Sequence, residues 1–345
     1  MKKLKVGIIG CGRIGSLLEN DPLRDKPCTH AGGFNALPST QIVAGCDLNQ
    51  ERLDQFGKRW DVDALYTNYR EFLKQESLDI VSIAAWTRAH SKLALACTKA
   101  DIKGVLCEKP IALTVKEGAR MVRAFRKHSI PLVINHERRW EPFYTLAHKL
   151  VQQGKIGEIR TIVGNTLSGP PGKGRVDQFG GGPMFHDGTH LLDLLVFFGG
   201  PVAWVSGHEN RPHGKQHIEE TATAMLQFKN GALGFVEGGG GRRYFNFELD
   251  IQGTEGRLLI GNAGRELYVT KKSRRFTGFK ELEQVPFPEP KNKESPFTGA
   301  ARDLVGCILK GKTSKSSGED GLMALKIITA IYDSAQKNGT KVRIR

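Results

Sequence analysis

Three short stretches of this chain contain residue types and spacings suited to redox chemistry on a small molecule. The first is a glycine-rich loop that follows an apolar run at 4–9, which predicts a buried parallel strand. The loop consists of Gly10, Cys11, Gly12, Arg13, Ile14 and Gly15. In such a G-x-G-x-x-G pattern Gly10 permits the tight turn, Gly12 lets the backbone approach a pyrophosphate, and Gly15 lets the next helix pack closely. The pattern predicts a dinucleotide site, with Arg13 and Ile14 contributing to it.

An acidic residue ends the next predicted strand. The apolar run 41–46 stops at Asp47, whose carboxylate can accept hydrogen bonds from ribose hydroxyls and would repel a 2′-phosphate. We therefore expect NAD rather than NADP. NADP remains open, because Arg13 and Arg52 could lie close to a 2′-phosphate. The alternative is a glycine-rich turn beside a solvated aspartate.

The second stretch is Glu108-Lys109-Pro110, after a predicted strand at 103–107. A lysine at the carboxyl end of a parallel strand faces the crevice in which a nicotinamide would lie. Its ammonium can hydrogen-bond a substrate hydroxyl and stabilise an alkoxide. Trp86 follows another predicted strand and is expected to line the same pocket. The alternatives are a surface lysine with its glutamate and a tryptophan packed in the core.

The third stretch is a predicted helix after Gly180-Gly181-Gly182. His186 and His190 are four residues apart, which places both side chains on one helical face. Imidazole suits general acid–base catalysis because its pKa lies near neutrality. With Asp193 the two histidines could also ligate a metal, but metal ligands usually come from more than one element, so we expect none. Purely structural roles are a further alternative for both.

The elements around these stretches predict two domains. Up to residue 135 apolar strands alternate with helices, which predicts a parallel sheet and a Rossmann domain at 1–135. Residues 136–345 contain a run of meander strands between helices, which predicts an α+β domain for substrate binding and oligomerisation, with an open, mainly antiparallel sheet. Prolines interrupt the helix expected after the glycine loop. Residues 16–29 therefore form an excursion on the ligand-binding rim, with or without a role of its own.

The bulk properties are those of a globular protein. The chain has 345 residues, of which 39% are hydrophobic and 25% charged, and no apolar run is long enough to span a bilayer. The six cysteines form no C-x-x-C pair; with no export signal recognised, this favours a reduced, cytoplasmic protein. The net charge of +15 is spread along the chain without a nucleic-acid-binding motif. We therefore expect a solvated basic surface, with no nucleic-acid or membrane partner.

Weaker substrate-binding candidates lie outside the three stretches. Arg139 follows the last strand of the first domain, and Arg175 and Asp177 lie in the glycine-rich loop before the histidine helix. Their charges could recognise a polar substrate. The alternatives are a salt-bridge cluster between the domains for Arg139 and a solvated loop for the other two.

Together these residues resemble one family. The glycine loop, Asp47, His90, Glu108-Lys109-Pro110, and the glycine run followed by His190 occur in the order found in the glucose–fructose oxidoreductase and inositol dehydrogenase (Gfo/Idh/MocA) family. The tail segments 317–321 and 334–336 are also similar, so the resemblance covers the whole chain. It implies an NAD(P)-dependent dehydrogenase or reductase of sugars or polyols, with Lys109 as the catalytic lysine and with Glu108 and His90 near the cofactor.

One position departs from the family pattern. His190 falls on the family histidine, but the family aspartate is replaced by His186, and an acid appears one place later at Asp187. An adjacent helical residue points about 100° away, so the usual role of the aspartate is in doubt. We expect His186 to contact substrate in the catalytic site and His190 to act as general acid or base, and we count Asp187 among the substrate-binding candidates.

The sequence thus predicts an oxidoreductase that transfers hydride between NAD and a secondary hydroxyl or carbonyl of a sugar, inositol or acidic sugar. The open sheet favours a homodimer or homotetramer. Two alternatives are an NAD-dependent glycoside-cleaving enzyme without net redox and a non-catalytic dinucleotide-binding sensor.

Overall fold

The computed structural model describes residues 3–345. The chain divides into two compact units, one formed by the segment up to Pro142 together with Asn292–Leu322, and the other by Phe143–Lys291 together with Met323–Arg345. That two domains fold independently on either side of a single boundary near residue 135 remains a prediction. The structure adds that a late segment returns to the first unit.

The first unit contains a six-stranded parallel sheet in the order β3-β2-β1-β4-β5-β6. Its strands are β1 (Leu4–Ile9), β2 (Thr40–Cys46), β3 (Ala64–Tyr66), β4 (Ile80–Ile83), β5 (Gly104–Cys107) and β6 (Leu132–Ile134). Its helices within the first segment are α1 (His30–Asn35), α2 (Gln50–Trp60), α3 (Tyr69–Gln75), α4 (Thr87–Cys97) and α5 (Val115–Lys127). The strand order reverses between β1 and β4, so ligands are expected at the carboxyl ends of these strands.

Local sequence explains why these elements form. β4 and β5 are buried along their whole length, as expected for central strands covered on both faces. α5 begins with a capping box in which Thr114 and Glu117 satisfy each other's backbone groups. The Rossmann architecture predicted for this part of the chain is confirmed.

The late segment of the first unit contributes α10 (Pro296–Lys310). A Cβ on Gly104 of β5 would lie 2.8 Å from the side chain of Leu304, and a Cβ on Gly33 of α1 would lie 2.5 Å from the carbonyl oxygen of Phe297. These two glycines let the helix approach the sheet and α1 closely. The close packing explains why residues far along the chain belong to the first unit.

The second unit is built on a nine-stranded sheet in the order β14-β13-β12-β11-β7-β10-β9-β8-β15. Its strands are β7 (Ile159–Leu167), β8 (Val202–Asn210), β9 (Thr221–Phe228), β10 (Leu233–Gly239), β11 (Asn246–Gly253), β12 (Gly256–Gly261), β13 (Gly264–Lys272), β14 (Lys280–Val285) and β15 (Val342–Arg343). Its helices are α6 (Pro142–Gln152), α7 (Val176–Phe179), α8 (Pro183–His186), α9 (Gly188–Gly199) and the later part of α11 (Gly318–Ala335). Only β7 and β10 pair in parallel, which confirms the mainly antiparallel sheet.

The two faces of this sheet differ. On one face a Cβ on Gly164 would meet the side chains of Leu191 and Leu195 of α9, so helix and sheet share a tight apolar core. On the other face Val163 and Phe235 are 38% and 40% exposed, and they are neighbours in the β7–β10 register. The sheet therefore has one covered face and one open face, as predicted.

No helix within residues 3–345 combines the length and apolar character needed to cross a membrane.

Candidate active site

The glycine loop after β1 has the geometry of a dinucleotide-binding turn. Gly10 has φ +96°, and a Cβ there would lie 2.5 Å from the carbonyl oxygen of Ala84, so this position requires glycine. A Cβ on Gly15 would lie 1.9 Å from the carbonyl oxygen of Gly10. The loop is therefore compact because glycine stands at both ends.

The middle glycine of the loop, Gly12, has more space around it than Gly10 and Gly15. Around a Cβ on Gly12 the nearest described atom is the Arg52 guanidinium, at 3.5 Å. Packing within the protein does not require glycine here, whereas the close approach of a pyrophosphate does. The residues present thus fit an NAD cofactor. Contact of Arg52 with a 2′-phosphate remains a prediction.

Asp47 is tied to the same loop. Its Oδ2 accepts a hydrogen bond from the backbone N–H of Cys11 at 2.8 Å, and its Oδ1 accepts one from the N–H of Asn49 at 2.9 Å. Carboxylate oxygens accept more than one hydrogen bond each, so these contacts leave capacity for ribose hydroxyls. The carboxylate is held in place beside the loop.

The segment 16–29 leaves the glycine loop and brings the chain back beside it at His30. The backbone N–H of His30 donates to the carbonyl of Ile14 at 3.0 Å. Glu19 fixes the return, because its Oε1 accepts from the N–H of Cys28 and from the hydroxyl of Thr29, both at 2.8 Å. A ligand-binding role for this segment remains a prediction.

The Glu108 carboxylate is buried at the end of β5 within a polar network. His30 Nε2 donates to its Oε1 at 2.9 Å, and Asn135 Nδ2 donates to the same oxygen at 2.6 Å. The other ring nitrogen of His30 lies 2.6 Å from the hydroxyl of Ser82. Burial raises the pKa of Glu108, but the hydrogen bonds and the charges of His30 and Lys109 outweigh it and lower the pKa to about 2. Glu108 is therefore ionised at neutral pH.

Lys109 follows directly at the carboxyl end of β5. Its backbone N–H donates to Glu108 Oε2 at 3.2 Å, and its side chain is half-buried. The charge of Lys109 is one of the causes that lower the pKa of Glu108. The first unit thus presents a cation at the sheet edge where ligands bind in this architecture.

His90 and Trp86 flank this edge in different ways. His90 is fully buried, with Nδ1 2.8 Å from the carbonyl oxygen of Pro110 and Nε2 2.9 Å from that of Ala85. Burial lowers the pKa of His90. The hydrogen bonds to the two carbonyls favour the protonated ring, but they do not outweigh burial. Trp86 is 69% exposed at the start of α4. His90 joins the loops after β4 and β5, and cofactor contacts of both residues remain predictions.

Sequence reasoning missed His30. It is fully buried on α1 and reaches Glu108 across the first unit. The available signal was its position as the first helical residue after the Thr29 cap, where the chain comes back to the glycine loop. Nothing in the local sequence linked it to Glu108.

Arg139 is buried in the first unit. Its guanidinium donates to the carbonyl of Lys315 and forms an ion pair with Asp320 at 3.2 Å. A substrate contact for Arg139 and a salt-bridge cluster between the domains both remain predictions.

In the second unit the two histidines lie on consecutive helical segments. His186 ends α8 and is half-buried, and His190 lies in the first turn of α9 and is buried. Asp187 joins the segments, and the N–H of His190 donates to its carbonyl at 3.1 Å. The predicted single helix is therefore two segments with a tighter turn between them. Within residues 3–345 no group of three or more His, Cys, Asp or Glu is arranged to hold a metal.

Arg175 and Asp177 lie at the start of α7. Both are exposed and form an ion pair with each other at 3.1 Å. The strand-like bridge between Arg175 and His217 holds this part of the loop. Their role in specificity remains a prediction.

The fold and the loop place the chain among the two-unit oxidoreductases with a Rossmann domain. Residues 4–136 match the model of the oxidoreductase family with an NAD-binding Rossmann fold, and residues 144–259 match the GFO/IDH/MocA C-terminal domain. The chain belongs to the Gfo/Idh/MocA family, which confirms the resemblance and the NAD cofactor.

Named relatives extend over the full length. The chain is 26% identical to the D-apiose dehydrogenase of Paraburkholderia graminis over 99% of this chain and 90% of the relative. It is also 26% identical to the myo-inositol 2-dehydrogenase of Thermotoga maritima over 97% of each. A solved levoglucosan dehydrogenase, in complex with NADH and L-sorbose, superposes with TM-score 0.83 at 22% identity over 99% of each chain. The last of these supports the fold.

Proposed function

We propose that this protein is an NAD-dependent dehydrogenase that oxidises a secondary hydroxyl of a sugar, an inositol or an acidic sugar derivative, or reduces the corresponding carbonyl. The observation that carries the proposal is the ionised Glu108 buried beside Lys109, at the carboxyl end of a central strand. Full-length similarity to dehydrogenases named for apiose and inositol supports the substrate class.

When bound, NAD would accept the hydride that leaves the hydroxyl-bearing carbon. The residues that would hold it are the glycine loop and Asp47, with Trp86, His90 and Glu108 as further candidates. The chain's own contribution is to orient the two reactants and to handle the proton.

Lys109 and His190 divide the proton chemistry. The Lys109 ammonium donates a hydrogen bond to the substrate oxygen and stabilises the negative charge that develops there. His190 removes the hydroxyl proton as general base, and His186 binds a neighbouring hydroxyl. In the reductive direction His190 returns the proton to the carbonyl oxygen.

The substrate class follows from charge. His186 stands where the family carries an aspartate, so this position no longer repels an anion. Arg175 and Asp177 are candidates for contacts with the more distant substrate hydroxyls or a carboxylate. We therefore favour acidic sugars alongside neutral polyols.

A substrate screen tests the proposal. Purified protein is mixed with NAD and a panel of inositols, aldoses, anhydrosugars and sugar acids, and NADH formation is followed by its absorbance. We expect turnover with at least one polyol, lost in Lys109→Ala and kept in Lys116→Ala, which removes an exposed lysine of α5. Turnover that survives in Lys109→Ala would refute the mechanism.

We also propose that copies of the chain assemble through the open face of the second sheet. Exposed Val163 and Phe235 lie side by side at its centre, and burying such apolar area against a second copy is favourable. A homodimer or homotetramer is the expected state, measured by light scattering after size exclusion.

A reducing compartment, the cytoplasm, is proposed from the cysteines. All six are free, buried thiols, which persist where disulfides are kept reduced. Fractionation of expressing cells tests this assignment.

A further inference from the structure

A second buried carboxylate, unused in the proposed chemistry, lies at the start of the histidine-bearing segment. Glu219 is completely buried. Its Oε2 accepts from the backbone N–H of Gly182 at 2.7 Å, and its Oε1 accepts from the N–H of Met184 at 3.0 Å. The first N–H groups of a helix have no acceptor within the helix, and the residue before α8 is a glycine without a capping side chain. Glu219 therefore caps α8 from a segment 35 or more residues away.

Glu219 is itself fixed by two further side chains. Tyr332 of α11 donates its hydroxyl to Oε1 at 2.8 Å. The Arg211 guanidinium lies 3.9 Å from Oε2 and 5.2 Å from the Tyr332 ring centre, and it donates to Glu209 at 2.7 Å. A buried carboxylate with this many partners has little freedom to move.

The glycine run before α8 makes this arrangement possible. A Cβ on Gly181 would lie 2.6 Å from the Tyr332 hydroxyl, and a Cβ on Gly182 would lie 2.2 Å from the carbonyl oxygen of Glu219. Both distances are too short for any side chain. The run therefore lies flat against Glu219 and Tyr332.

Backbone hydrogen bonds extend this anchor to the histidines. The N–H of His186 donates to the carbonyl of Gly182 at 3.0 Å, and the N–H of Asp187 donates to Pro183 at 3.0 Å. The N–H of His190 then donates to Asp187 at 3.1 Å. A displacement at Gly182 would be passed along this chain of contacts to both imidazoles.

We infer that Glu219 is a positioning residue for the reaction, because it holds the start of α8 and thereby sets the placement of His186 and His190. The inference rests on the proposed function for its kinetic consequence. Glu219 exchanges no proton with substrate in this role and acts only through the backbone that it binds.

Hydrogen exchange tests the anchor without reference to activity. In Glu219→Gln the amide group keeps one acceptor oxygen but turns its own N–H₂ toward a backbone N–H, so one hydrogen bond is lost and a repulsion is added. We expect the peptide spanning residues 180–190 to exchange at least tenfold faster in Glu219→Gln than in the wild type. Unchanged exchange in that peptide would overturn the inference.

Kinetics test the consequence. We expect kcat to fall about 2–5-fold in Tyr332→Phe, about 10–100-fold in Glu219→Gln and further in Glu219→Ala, because misplacement by about 1 Å can cost about 100-fold. The dissociation constant for NADH, measured by fluorescence, should stay within about twofold because the glycine loop belongs to the other unit.

A matched control separates positioning from stability. Leu267→Ala removes a buried side chain of β13 in the same unit and should lower the melting temperature while leaving kcat within about twofold at a temperature where it is folded. If Leu267→Ala and Glu219→Gln lose kcat in proportion to melting temperature, the positioning role is overturned. If the wild type turns over no polyol, the proposed function fails, and the exchange experiment still decides whether Glu219 anchors α8.

Discussion

Among residues 3–345 each unit contains a buried glutamate that accepts backbone hydrogen bonds from a segment with a candidate catalytic residue. The two carboxylates are stabilised in different ways. Glu108 is surrounded by His30, Asn135 and the charge of Lys109, which together hold its pKa at about 2. Burial raises the pKa of Glu219 above its ordinary value, and the hydrogen bonds from Gly182 and Tyr332 and the charge of Arg211, 3.9 Å away, lower it by less than burial raises it.

The contrast indicates that the two carboxylates have different roles. In the first unit an ionised carboxylate lies beside the lysine that is proposed to stabilise an alkoxide. A carboxylate that mainly accepts backbone hydrogen bonds fixes geometry and offers no charge to the substrate. We therefore propose that the first unit supplies electrostatic stabilisation and that the second supplies precise placement.

The largest expected effect comes from neutralising the first carboxylate. Glu108→Gln removes the anion beside Lys109 and presents an amide N–H₂ to the donors of His30 and Asn135. We expect kcat/KM to fall by about 100-fold or more, a loss of roughly 3 kcal/mol in transition-state stabilisation. Steady-state kinetics measure it, and a loss below threefold would contradict an electrostatic role of Glu108 in the reaction.

The pH dependence of stability should have opposite signs in the two units. The folded-state pKa of Glu108 is lowered from 4.5 to about 2, so its stabilisation is full above pH 4.5 and is lost as the pH falls toward 2. The raised pKa of Glu219 means that its ionised form costs stability above its ordinary pKa, and this cost diminishes as the pH falls.

Urea unfolding between about pH 2.5 and 7 checks this contrast. In Glu108→Gln the free energy of unfolding should fall less on acidification than in the wild type, by up to roughly 3 kcal/mol once the pH is low enough for the whole pKa shift to contribute. The wild type should gain stability on mild acidification as Glu219 becomes protonated, and Glu219→Gln should lack this gain. Identical pH profiles for the two variants would refute the distinction.

Sequence reasoning recovered the fold because its signals are local. The apolar run before Gly10, the acid at Asp47 and the alternation of strands and helices each depend on nearby residues. The candidate site was predicted less completely, because His30 and Glu219 contact partners 78 and 37 residues away. The return of Asn292–Leu322 to the first unit also depends on close packing at Gly33 and Gly104, which no periodicity reveals.

Cofactor discrimination should depend on the first unit alone. Asp47→Ser removes the carboxylate that would repel a 2′-phosphate, so the preference for NAD over NADP should fall by about tenfold or more. Comparison of kcat/KM for the two cofactors measures this. Glu219→Gln is the control, and we expect its cofactor preference to match the wild type.

The smallest effect on chemistry should come from the open face of the second sheet. Phe235→Glu places a charge among exposed apolar side chains and should shift an oligomer toward smaller species. Light scattering reports the mass, and Lys229→Glu, at an exposed turn of the same sheet, is the control. An unchanged mass in Phe235→Glu would exclude this face as the interface.

The central claim is that Lys109 stabilises the developing alkoxide, and single-turnover hydride transfer tests it most directly. With saturating NAD and the substrate found by screening, Lys109→Ala should slow the transfer step by about 1,000-fold while the dissociation constant for NADH stays within about threefold. A transfer rate within tenfold of the wild type, in a variant that still binds NADH, would contradict it.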